Sequence, residues 1–61
     1  MDKFDIVGFM IAFEDGDCDR DTTIYGFQQM INDGSVWKLQ GAYGRLAQQL
    51  IERGYCHPKG D

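Results

Sequence analysis

An all-α fold of three short helices, over about 3–13, 20–32 and 36–53, is predicted by three features of this 61-residue chain. Apolar residues recur at steps of three and four in three separate stretches. Turn and capping residues (Asp, Asn, Gly, Ser) separate those stretches. No stretch offers a strand for another to pair with. At this length, one domain spanning 1–61 is expected, with a mobile tail at 54–61. A chain this small buries only about 60% of its unfolded surface, so it usually gains stability from a disulfide, a metal or a partner subunit.

Asp2 is a suitable N-cap for the first helix. Phe4, Val7 and Ile11 then share one face, with Ile6, Met10 and Phe13 on an adjacent one. A helix that is apolar nearly all round must bury two faces, and one neighbouring helix covers only one of them. A homodimer is therefore expected, with Phe4, Val7, Met10 and Ile11 at its interface. Phe, Ile and Val also suit a strand, but Met10, Ala12 and the lack of a partner strand favour the helix.

Residues 14–21, Glu-Asp-Gly-Asp-Cys-Asp-Arg-Asp, are too polar for a core and read as a loop. Asp19 or Asp21 can cap the second helix, whose buried stripe is Ile24, Phe27, Met30 and Ile31, while Gln28, Gln29 and Asn32 face out. Asn32-Asp33-Gly34 ends it, with Gly34 in the left-handed position. Ser35 can cap the third helix, in which Val36, Leu39, Tyr43, Leu46 and Leu50 form the seam. Arg53 and Gly54 close it. Gly41 and Gly44 interrupt the pattern, each at a cost of about 1 kcal/mol relative to Ala. One continuous helix, bent near Gly41, is the expectation.

The net charge is −4, which disfavours a non-specific grip on nucleic acid or anionic lipid. Charge is unevenly divided. Residues 1–33 hold eight acidic and two basic side chains, whereas residues 34–61 hold two acidic and four basic. The acidic end can steer toward a basic protein surface. Lys38, Arg45 and Arg53 do not form one continuous basic face, so DNA reading is not expected. Two cysteines, Cys18 and Cys56, are too few for a secreted mini-protein of this size. Lys3 is followed at once by Asp5, and the run Ile6 to Phe13 lacks a cleavage site and is too short to span a bilayer. A cytoplasmic protein with reduced thiols and no membrane segment is expected.

Chemistry is sparse. Asp17, Asp19 and Asp21 match positions 1, 3 and 5 of a calcium-binding EF-hand loop, with Ile24 at position 8. Thr22 stands where that loop needs Gly, and Gln28 where it needs a bidentate carboxylate. Cys18, Cys56 and His57 lack the spacing of a structural zinc site. No metal and no cofactor are expected. The single histidine, His57, lies beside Pro58, and no phosphate-binding glycine loop is present, so catalysis is not expected.

The stretch Trp37 to Arg45 is richer. Trp, Tyr and Arg anchor interfaces, and small residues between them let a partner backbone approach. Trp37, Gln40, Tyr43 and Arg45 are the candidate partner- or ligand-binding residues, although Trp37 and Tyr43 equally suit the core. Gln40, Tyr43 and Arg45 can frame a shallow polar notch.

Trp37-x-Leu39-Gln40-Gly41-x-Tyr43-Gly44-Arg45-x-Ala47-x-x-Leu50-Ile51-x-x-Gly54 resembles the recurrent C-terminal pattern of a set of very small, largely uncharacterised bacteriophage proteins. Phe27-Gln28-x-Met30-Ile31-x-Asp33-Gly34 is similar to their second helix. The likeness covers residues from about 14 to 56, and Tyr55-Cys56-His57-Pro58 departs from it. It implies a helical fold and a protein that works in the host cytoplasm by binding and inhibiting a host protein, such as part of an antiviral defence system. A nucleotide-signal sponge, with the ligand held at the Gln40–Arg45 notch of an oligomer, is the alternative expectation.

Overall fold

Asp5, not Asp2, starts the first helix. In the computed structural model, which describes residues 4–39 and 41–58, the Asp5 backbone is extended and its Oδ1 accepts from Gly8 N at 3.0 Å. Asp2 lies outside the described residues. Helix α1 runs Ile6–Glu14, three residues later than the sequence predicts at its start. Its last turn closes on Gly16 at φ +80°, with Gly16 N bonded to Phe13 O and Asp17 N to Ala12 O. These two bonds satisfy carbonyls that a helix end otherwise leaves orphaned.

Helix α2, Arg20–Asp33, starts on Asp19, one of the two caps the sequence offers; its Oδ1 accepts from Thr22 N at 2.8 Å, and Asp21 falls within the first turn. That bond to the charged carboxylate holds the Asp19 pKa below its ordinary value. Gly34 at φ +81° ends the helix, also as expected. Phe27, Met30 and Ile31 are fully buried, which confirms the predicted stripe, and Ile24 packs against them.

The third segment differs from its expectation. Residues 36–53 are not one helix: Ser35–Trp37 form a 3-10 turn and α3 runs Tyr43–Glu52. Gly41 sits at φ +78°, a left-handed conformation incompatible with helix continuation. Val36 is fully buried all the same, because the 3-10 turn aims it at α2. Ser35 does not cap this segment, and its hydroxyl oxygen is buried without a partner. The all-helical fold with three helices stands, and no strand occurs among the described residues.

Aromatic rings tie the helices together. Phe9 meets Phe27 edge-on at 5.8 Å, Phe13 meets Phe27 at 5.5 Å, and Tyr43 of α3 lies 6.0 Å from both Phe13 and Phe27. Gly26 lets this happen. A β-carbon there would stand 2.2 Å from the Phe9 ring, so α1 docks with a ring directly on the α2 backbone.

The expected free tail is, over residues 54–57, a docked strap. Gly54 at φ +85° and the bonds Gly54 N to Ile51 O and Tyr55 N to Leu50 O cap α3 and turn the chain back. Cys56 is then buried with its thiol donating to Ile24 O at 3.6 Å. The Gln28 amide grips the His57 backbone twice, donating to its carbonyl at 3.0 Å and accepting from its N–H at 2.7 Å. Arg20 lies over the Tyr55 ring and donates to its hydroxyl at 2.6 Å. Residues 59–61 lie outside the described residues.

Two outcomes follow from this packing. Gly26→Ala should lower Tm despite a helix-propensity gain of about 1 kcal/mol, because overpacking costs ~1–3 kcal/mol. In thermal melts, adding Phe9→Leu should recover part of that loss. Gln28→Ala, made with Cys18→Ser, should speed modification of Cys56 by a thiol reagent several-fold relative to Cys18→Ser alone.

Candidate functional site

The outer face of α1 is the most prominent exposed feature. No charge occurs between Asp5 and Glu14. The inner side of the helix supplies Phe9 to the core, with Phe4, Ile6, Met10 and Phe13 packed against it. Val7 and Ile11, one turn apart, are left 67% and 58% exposed. Of the four residues expected at a dimer interface, Val7 and Ile11 face solvent, whereas Phe4 and Met10 are half-buried against the protein's own core.

The four residues singled out between 37 and 45 are divided. Trp37 is 49% exposed and Arg45 is exposed, so both are free to meet a partner. Gln40 lies outside the described residues. Tyr43 is turned inward at 9% exposure and completes the core. Its hydroxyl, at the edge of that core, donates to Glu14 Oε2 at 2.6 Å. At the Tyr43 side of the expected polar notch, the hydroxyl therefore has a carboxylate as its partner.

The sequence places Glu14 in the loop, whereas the structure makes it the last residue of α1. An acidic side chain at a helix C-terminus faces the negative end of the dipole. That mismatch, readable once Gly16 is taken as the stop, is the signal that Glu14 has another task. Beside it a groove of about 330 Å³ opens between the end of α1 and the start of α3, lined by Phe13, Glu14, Gly41, Ala42, Tyr43 and Leu46. A smaller hollow of about 110 Å³ shares Phe13 and Leu46 and continues past Leu50 toward Arg53 and Tyr55. A third, of about 440 Å³, lies between the start of α1 and the end of α2, against Phe4, Ile6, Gln29, Asn32 and Asp33.

The Asp19 carboxylate is committed to capping α2. Among the described residues no group of three or more His, Cys, Asp or Glu is placed to hold a metal. Cys18 and Cys56 are both free thiols, and burial pushes the Cys56 thiol pKa up, away from a reactive thiolate. Among the described residues no helix is long and apolar enough to cross a membrane.

Residues 2–61 match the family defined by a domain of unknown function (DUF7417), and the chain belongs to that family. No curated protein and no solved structure matches it.

The Tyr43–Glu14 bond makes stability depend on alkaline pH. The Tyr43 pKa is pushed up to about 12, first by burial and then by the hydrogen bond and charge of Glu14. The folded state therefore holds this proton more tightly than the unfolded chain. Its contribution is complete below pH 10 and is lost as pH rises toward 12. In melts across that window, Tm of the parent protein should fall more steeply than Tm of Tyr43→Phe. At neutral pH, Tyr43→Phe should cost about 1 kcal/mol or less, because solvent screens the partly exposed bond.

Proposed function

We propose that this member of a family of unknown function is a non-enzymatic binding protein. It pairs with a second copy through the outer face of α1 and holds a host protein at the surface carrying Trp37. As the resemblance to small phage proteins implies, it acts there as a stoichiometric inhibitor or modulator in the host cytoplasm, on a component such as an antiviral defence complex.

The observation that carries this reading is the open pair Val7 and Ile11, on the helix whose other side builds the core. Burying each such side chain contributes roughly 1.5–3 kcal/mol. Two copies bring four of them, against an association cost of about 4–15 kcal/mol. Val7 and Ile11 alone sit near break-even, so the half-buried Phe4 and Met10 must close with them to make a lasting dimer. Trp37, large and amphipathic, is the residue type that dominates heterologous interfaces. Arg45, exposed in the first turn of α3, adds a fork-shaped donor.

Sedimentation at micromolar concentration should give twice the 7.0 kDa chain mass. Val7→Asp with Ile11→Asp should give a monomer with unchanged helicity, because neither side chain supports the core. A parent protein that sediments as a monomer refutes the pairing. Capture from host lysate should yield one protein in stoichiometric amount, retained by Tyr25→Ala and lost with Trp37→Ala. Retention by Trp37→Ala removes Trp37 from the binding surface.

A further inference from the structure

We infer that the groove between the end of α1 and the start of α3 receives one arginine or lysine side chain of the partner protein, with Glu14 as its counter-charge. This deepens the binding reading and rests on it. Four observations converge on a cation with an apolar stem.

The walls are apolar and aromatic. Phe13, Tyr43 and Leu46 line the groove, with the Phe13 and Tyr43 rings 6.0 Å apart and tilted by 52°. Such walls cover the methylene stem of a long basic side chain. The volume, about 330 Å³, is at the lower end for a small-molecule cleft and suits a single side chain.

Among the described residues that line the groove, Glu14 is the one ionisable side chain besides the Tyr43 phenol. The phenol keeps its proton and donates a hydrogen bond to Glu14 Oε2. A carboxylate offers about four lone-pair sites, so Oε1 and the unused face of Oε2 remain for a guanidinium fork. Tyr43 thus holds the carboxylate in place at the groove wall without neutralising it. Asp15 follows Glu14 directly and Asp17 comes two residues later, which makes this end of the molecule attractive to a basic surface at longer range.

The test uses a charged probe and its neutral isostere. N-acetylarginine methylamide, titrated into the isotopically labelled full chain, should shift the amide resonances of Phe13, Glu14, Ala42 and Leu46 saturably. The citrulline analogue, which replaces the guanidinium by a urea, should bind about ten-fold more weakly. Glu14→Gln, whose amide oxygen still accepts from Tyr43, should reduce arginine binding to the citrulline level while its melting curve stays close to that of the parent. Raising the salt to molar concentration should weaken the arginine probe alone.

Equal binding of the two probes, or no saturable shift at these four residues, overturns the assignment. So does dissociation of the dimer by Glu14→Gln, which would give the groove to a second copy. If the arginine probe fails while the parent protein still captures a partner through Trp37, the groove assignment falls and the binding reading stands. If the probe binds as expected and no partner is captured, the cation site stands and the binding reading falls.

Discussion

The closeness of Phe9 to the α2 backbone at Gly26 sets the rest of the architecture. A β-carbon at that position would overlap the ring, so only glycine lets α1 settle this deep. Once Phe9 is seated, the spacing of the helix places Phe13 against Phe27 and Tyr43, and the last turn brings Glu14 to the Tyr43 hydroxyl. The same rotation leaves Val7 and Ile11 pointing away from the protein. The covered and uncovered faces of α1 are therefore two consequences of one contact.

Helix α1 carries more apolar residues than the rest of the protein covers: Phe9 lies in the core while Val7 and Ile11 stay exposed. A helix with one polar side would have been sufficient for folding. Exposing two aliphatic side chains to water opposes solubility, and the acidic net charge counters that. The carboxylates are also concentrated at the end of α1, next to an apolar groove. Under the proposed binding function, that pairing of apolar area with negative charge suits a basic, amphipathic partner.

A chain this short usually needs a covalent or metal staple. In this protein the docked strap fills that role. Cys56 enters the core as a thiol, Gln28 pairs with the His57 backbone as a neighbouring strand would, and Arg20 clamps Tyr55 by stacking and a hydrogen bond. Each bond is modest, yet together they join residues separated by about half of the chain.

Local chemistry determined much of this protein without reference to distant residues. The Asp19 cap, the Gly34 stop and the buried stripe of α2 each depend on a few neighbouring positions, so the sequence displays them directly. So does the surplus of apolar residues in α1. Three outcomes required the tertiary structure. A glycine near the middle of a periodic stretch is compatible with a bend or a break, and the fold takes the break, with Gly41 at φ +78° and Val36 in the core. Gln28 reads as a surface amide until the chain returns 29 residues later and offers it a backbone. Glu14 reads as loop until Tyr43 arrives from α3 to hold it at the groove. In each case the partner is distant in sequence, and hydrophobic periodicity carries no information about which polar groups the packed helices will bring together.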